Sequence, residues 1–379
     1  MKLNNQIYTD EFFTKKFDEK FSATEYNLSN NRVINIVVNQ SDRKLLRIFD
    51  CFIDYLIENN FQILTQFLFG NDIHVNENIS LAKKYFNEIS WPVTFLKQDG
   101  NTWSTVITAV KTNNLKPLYQ DGTVIGNFYC DDYSDYCFLG GLMPKSKNIP
   151  KDLSIKSIFQ LIESELNNIN MDFKDIVRTW FYLDDLLDWY DEFNKVRNDF
   201  FKEKDIFNNM IPASTGIGAG NLNNSLLQSA VYSVKPKTDK VKISPVKSPF
   251  QCPASNYKSS FSRAVEIEHP DYRQLIISGT ASINSEGKTA YIGDIYNQIK
   301  LTMNVVAGIL NSRNMNWENV TKGIVYFKDI NDIKVFDEYR VNEAIPQMPL
   351  AIVQADVCRN ELLFEIEVDA IELKNIQTE

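Results

Sequence analysis

Glu365 and Glu367 stand two residues apart in the run Ala355 to Glu367, ADVCRNELLFEIE, within an otherwise apolar alternation. Val357-Cys358-Arg359 ends one apolar segment, and Arg359-Asn360-Glu361 reads as a tight polar turn. From Leu362 to Val368 the pattern is that of a strand. Period two puts Leu363, Glu365 and Glu367 on one face and Phe364, Ile366 and Val368 on the other. A carboxylate on so apolar a strand has two readings. It is either a proton-transfer group in a protected site or an ordinary glutamate of a half-exposed strand. Other chemistry-bearing residues are sparse. ASTGIGAGN (213–221) is rich in glycine but has no P-loop lysine, and no Rossmann glycine pattern is present. Cys130 and Cys137 have six residues between them, but the only histidines are His74 and His269, so no metal site and no cofactor are expected.

The elements that must position these residues belong to a chain of 379 residues, 44% hydrophobic and 23% charged, which is long enough for two or three cores. A net charge of -9 argues against nucleic acid or an anionic membrane as partner, although a local cluster of arginines can still hold an anion. The N-terminal run MKLNNQIYTDEFFTKKF lacks the apolar region of a signal peptide, and no apolar run has the length of a membrane span. Five scattered cysteines, Cys51, Cys130, Cys137, Cys252 and Cys358, suggest a reducing compartment, and the expected location is the cytoplasm.

One unit recurs three times. In the third copy Asp294 to Leu310 is a helix through Ile299, Met303, Val306 and Leu310, Val320 to Phe327 is a strand, and a second helix runs through Phe336, Tyr339 and Arg340. In the second copy Ile155 to Leu166 is the helix and Ile176 to Leu183 the strand, with a second helix through Trp189, Tyr190 and Phe193. Phe173 aligns with Trp317 and Tyr182 with Tyr326, both at a shift of 144 (317 − 173 and 326 − 182). The first copy is degenerate: Arg43 to Asn59 is a helix, Ile63 to Phe69 a strand, and Leu81 to Ile89 the second helix. A proline and an apolar strand follow each copy, at Pro92, Pro212 and Pro349. Lys111 to Asp121 reads as a connection, and Ser233 to Tyr257, rich in Pro, Lys and Ser, as a linker. The expected division is 1–120, 121–232, a linker at 233–257, and 258–379.

Ser262-Arg263-Ala264, Ile277-Ser278-Gly279-Thr280, Gly293-Asp294 with Gln298, and Phe364-Glu365-Ile366-Glu367 resemble the reactive-intermediate (enamine/imine) deaminases, homotrimers with active sites between subunits. From about residue 125 onward the chain more closely resembles the chorismatases. The stretches that carry this are FLGGLMP (138–144), RTWFYLDDLLDWYDEFNKVR (178–197), PASTGIG (212–218), SSFSRA (259–264), SGTASI (278–283), GDIYNQIKLTMNVV (293–306) and VCRNELLFEIEVDA (357–370). The resemblance implies an α+β fold of three tandem deaminase-like (chorismate-mutase-like) units, a covalent pseudo-trimer with a central β-barrel and outer helices. It also implies a monomer, because three copies close the ring within one chain.

For function the resemblance implies cleavage of chorismate to pyruvate plus a hydroxybenzoate or a dihydrodiol. Such a reaction needs a general acid for the enolpyruvyl methylene and cations for two carboxylates. By resemblance Glu365 is the acid, kept protonated by burial, with Glu367 the weaker candidate. Arg178 shares a strand face with Trp180 and Tyr182 and is expected to fork onto a substrate carboxylate, the alternative being an ion pair with Asp184 or Asp185. Arg263 is a second carboxylate ligand and Arg197 a third, unless Arg197 only complements its helix dipole. Thr215 and Gly216 are expected to offer backbone N–H groups to the substrate. Cys358 and Ala264 occupy places that separate aromatising from hydrolysing members of the resembled family. Cys358 points to 3-hydroxybenzoate, with some 4-hydroxybenzoate allowed, and Ala264 to 3,4-dihydroxycyclohexa-1,5-diene carboxylate. Two other readings remain: an imine or enamine hydrolase, and a non-catalytic module that binds a small molecule. Against the first, the arginine that the deaminases carry after the closing proline is replaced here by Leu350 and Ala213.

Overall fold

The computed structural model describes residues 6–10, 13–17, 21–28, 31–40, 45–98, 102–145, 149–257 and 259–374. Arg43, where the sequence starts the first helix, and the side chain of Cys51 lie outside the described residues.

The first unit holds β1 (Gln6–Asp10), β2 (Phe13–Phe17), β3 (Phe21–Leu28), β4 (Asn31–Gln40), α1 (Leu45–Glu58), β5 (Gln62–Gly70), α2 (Asp72–Phe86), β6 (Val93–Lys97) and β7 (Trp103–Lys111). The second holds β8 (Lys116–Gln120), β9 (Thr123–Cys130), β10 (Ser134–Leu142), α3 (Lys151–Asn167), β11 (Ile176–Leu183), α4 (Leu186–Glu203), β12 (Ala213–Gly218) and β13 (Leu227–Pro236). The third holds β14 (Lys242–Val246), β15 (Ala264–Glu268), β16 (Tyr272–Ala281), α5 (Ile295–Asn311), β17 (Val320–Phe327), α6 (Ile333–Asn342), β18 (Leu350–Gln354) and β19 (Phe364–Leu373).

Each unit folds into one sheet with the same connectivity. The orders are β1-β2-β3-β4-β7-β5-β6, then β8-β9-β10-β13-β11-β12, then β14-β15-β16-β19-β17-β18. A meander leads into a parallel pair joined by a helix (β5–β6, β11–β12, β17–β18), and the last strand of each unit inserts between meander and pair. The 144-residue shift holds for whole elements. It relates α3 to α5 (295 − 151) and β11 to β17 (320 − 176).

Two expectations need correction. The stretches 111–121 and 233–257 are not bare connections, because β8, the end of β13 and β14 lie in them. β14 is an edge strand with Lys242 and Ser244 exposed and Val246 buried. An edge position has a free hydrogen-bonding side and therefore tolerates Pro245. The second helix of the first unit starts at Asp72 rather than Leu81. Its polar first half is secured by a capping box, in which Asn71 accepts from Ile73 N and His74 Nδ1 accepts from Asn71 N at 3.1 Å.

Period-two alternation gives each sheet two buried faces. The outer faces pack against the helix pairs, as in the cluster of Phe159, Phe173, Phe181, Phe193 and Phe200. The inner faces of all three sheets meet in a common core that includes Val37, Phe67, Trp180, Tyr182, Ile276 and Tyr326. Full burial of such side chains stabilises the fold by about 1.5–3 kcal/mol each. The central barrel is thus three separate sheets around one core, with isolated bridges from Ala213 to Ser262 and from Gly218 to Asp356 at the seam of the second and third units. Among the described residues no helix is long and apolar enough to cross a membrane.

Candidate active site

At the seam between the second and third units, β12 runs beside β16. Ser214 N donates to Ser278 Oγ at 2.9 Å, Ser262 N to Pro212 O at 2.9 Å, and Gly279 N to Thr215 Oγ1 at 3.0 Å. The register of β16 against β19 shifts between Ile277 and Thr280, which places an irregularity at Ser278-Gly279. A β-carbon on Gly279 would overlap Glu365 Oε1 and lie 3.0 Å from Thr215 Oγ1, so only glycine admits the carboxyl here.

Glu365 and Glu367 do share one face of β19, and both are buried, at 4% and 5% exposure. The two carboxyls have different surroundings. Glu367 is ion-paired with Arg178 at 2.7 Å, accepts from Trp180 Nε1 at 2.7 Å and accepts from the Thr215 hydroxyl. Glu365 faces the cleft. Burial, reinforced by the Glu367 charge and opposed by Arg178 and Arg263, pushes its carboxyl up to about 8. A carboxyl raised this far keeps its proton at neutral pH.

The cleft in front of Glu365 has a volume of about 150 Å³. Arg197, Arg263 and Arg359 line it with one further acid, Asp191. Three guanidinium groups and one carboxylate besides Glu365 thus line the cleft, a donor-rich lining that suits an anion. Arg197 is carried by α4. That helix bends at Trp189 (φ −147°, ψ 16°) and presents Tyr190, Asn194 and Arg197 at spacings of four and three. Arg263 donates from Nε and an η nitrogen to Cys252 O at 3.1 and 2.8 Å and lies 5.3 Å from the Phe261 ring. Arg359 donates to Gly287 O at 2.9 Å. Ala281, Ile283 and Cys358 form an apolar wall that packs against Val357 and Leu362. Burial, with Glu365 nearby, pushes the Cys358 thiol up to about 12, so it stays a thiol.

A solved structure of a chorismatase superposes on 81% of this chain and 92% of its own, with a TM-score of 0.58 at 18% identity. This chain has the chorismatase fold. A curated 3-hydroxybenzoate synthase from Streptomyces hygroscopicus is 23% identical over 271 residues, which cover 64% of this chain and 75% of that protein. The Ribonuc_L-PSP family, described as Endoribonuclease L-PSP, matches residues 254–372. An L-PSP endoribonuclease structure from Entamoeba histolytica covers 34% of this chain and 98% of its own at 24% identity, with a TM-score of 0.29.

On this chorismatase fold the residues singled out from sequence separate into two groups. Glu365, Arg263, Arg197, Gly216 and Cys358 meet at the cleft. Arg178 does not line it: it is 1% exposed and is ion-paired with Glu367 rather than with Asp184 or Asp185. Tyr182 lies in the central core with its hydroxyl 3.5 Å from that of Tyr326. Thr215 turns its side chain to Glu367 and Gly279, leaving Ser214 and Gly216 on the cleft side. Ala264 is packed among the helix-facing residues of the third unit, and the small side chain on the cleft is Ala281. The sequence pattern marks Arg359 only as a turn residue, and the structure adds it to the cleft. Its position next to Cys358 in VCRN was the available signal.

Proposed function

We propose that the chain converts chorismate to pyruvate and a hydroxybenzoate, with Glu365 as the general acid. The observation that carries this reading is a buried, neutral carboxyl facing a cleft lined by three arginines. The dianionic substrate suits the arginine lining, and its ring suits the apolar wall at Ala281, Ile283 and Cys358. Arg197, Arg263 and Arg359 supply charge-assisted donors for the two carboxylates.

The Glu365 proton goes to the enolpyruvyl methylene carbon, forming a C–H bond and leaving an oxocarbenium ion beside the ionised carboxylate. The neighbouring ring hydroxyl traps that cation as a cyclic ketal. The ring C–O bond of that hydroxyl oxygen then breaks, loss of the proton from the ring carbon bearing the ether oxygen makes the ring aromatic and restores Glu365, and the remaining hemiketal collapses by cleaving its bond to the phenolic oxygen, which releases pyruvate. Chorismate thereby divides into pyruvate and 3-hydroxybenzoate with no water consumed. Cys358 on the cleft wall favours this aromatising course. Ala264, which would have pointed to the hydrolytic course, does not reach the cleft. Against imine hydrolysis, Leu350 and Ala213 stand where the deaminases carry arginine, and both are buried.

The test is incubation with chorismate, with pyruvate read by a coupled assay and aromatics separated by chromatography. One pyruvate and one hydroxybenzoate per chorismate are expected. A non-aromatic diol would make the reaction hydrolytic, and absence of pyruvate would overturn the proposal.

A further inference from the structure

The Glu367–Arg178 pair takes no part in the proposed reaction, yet it is among the most completely buried ion pairs described, with side chains 6% and 1% exposed. Its parts come from three strands of two units: Glu367 from β19, Arg178 and Trp180 from β11, and Thr215 from β12. Arg178 is held in turn by Ile277 O at 3.3 Å and Thr215 Oγ1 at 2.5 Å, and its guanidinium lies 4.9 Å from the Trp180 ring. The Thr215 hydroxyl donates to Glu367 and accepts from Gly279 N, beside the one position whose missing side chain makes room for Glu365. Three donors therefore fix a carboxylate two residues along the same strand face from Glu365, and both carboxyls are buried. A second negative charge beside a fixed one at a buried position is disfavoured.

We propose that Glu367, fixed by Arg178, Trp180 and Thr215, is a positioning residue whose charge keeps Glu365 in its proton-donating form. The proposal rests on the reading of Glu365 as the acid and assigns Glu367 no contact with substrate. The other charged or titratable groups around Glu365 act differently. Arg178 and Arg263 favour its ionisation. Cys358 stays neutral. Tyr326, its cross-strand neighbour on β17, is pushed up by burial and stays neutral. Tyr190, Asp191 and Arg197 from α4, with Arg359, face it across the cleft. Glu367 is thus the fixed negative charge on the interior side of Glu365, and it outweighs Arg178 there.

The experiment compares wild type, E367Q and the double variant R178M/E367Q in two readouts: the pH profile of pyruvate release from chorismate, and the pH dependence of 3-hydroxybenzoate binding by calorimetry. Ionised Glu365 ends proton donation and repels the bound anion, so both signals fall as it titrates. In E367Q the basic limb of both is expected about one pH unit or more below that of wild type. In the double variant, where the opposing Arg178 charge is also gone, it falls between the two. An unmoved limb in folded E367Q, or a double variant below the single, overturns the proposal. Should E367Q fail to fold, the double variant decides: replacing both members of a buried pair is commonly tolerated, and its limb must still lie below that of wild type. If wild type binds 3-hydroxybenzoate but releases no pyruvate, the proposed function fails while the binding profiles still test Glu367. A chain that neither reacts nor binds overturns both.

Discussion

Replacing Glu365 by glutamine should abolish turnover and at the same time stabilise the fold. In the unfolded chain the carboxyl titrates near 4.5, and burial in the folded chain moves it to about 8. Below pH 4.5 both states hold the proton, and this group contributes no pH dependence. Between 4.5 and about 8 the unfolded chain ionises while the folded chain does not, so the native state loses stability steadily as pH rises. Above about 8 both are ionised and the loss is constant. At about 1.4 kcal/mol per pH unit the full span corresponds to about 5 kcal/mol. The open cleft lets water reach the carboxyl, and about 2–5 kcal/mol is the expected stabilisation of E365Q at pH 8. Urea unfolding of both proteins at pH 5, 6.5 and 8 reads it directly. The advantage of E365Q should be small at pH 5 and grow toward pH 8. An advantage independent of pH, or a less stable E365Q at pH 8, refutes the argument that Glu365 is held neutral by burial.

Three further outcomes follow from the same geometry. The rate of pyruvate release should hold through neutral pH and fall as pH rises through about 8, because the acid is lost by deprotonation; a rate that rises through pH 8 contradicts this. Arg263→Ala and Arg359→Ala should each raise KM about 10-fold to 100-fold, the worth of about 1.5–3 kcal/mol for a charge-assisted hydrogen bond, as read from initial rates. Gly279→Ala should lower kcat about 100-fold or more while circular dichroism stays native, because the new methyl group displaces the Glu365 carboxyl and not the core.

Much of this architecture was legible in the sequence where a local pattern sufficed. β11 and β17 recur with identical length because both are largely buried and both are entered through a capped turn, at Asp172 and Asn316, and the alternation around Glu365 located both the strand and its two faces. The first unit was harder to read, although its connectivity is the same. Its polar helix start, stabilised by capping, carries little hydrophobic signal, and the same holds for β8 and β14, edge strands of the other two units with lysine and proline. The partner of Arg178 was out of reach for a different reason. Glu367 lies 189 residues away in another unit, and period-two reasoning cannot tell which of two adjacent carboxylates receives the cation. Ala264 and Ala281 illustrate the same limit, since only the packing of sheet against helix decides which small residue borders the cleft.

The measurement that tests the central claim most directly is pyruvate release from chorismate by wild type and E365Q side by side at pH 7. The account predicts one pyruvate per chorismate from wild type and a rate at least about 100-fold lower from E365Q, the usual worth of a general acid. E365Q turning over at the wild-type rate would contradict it.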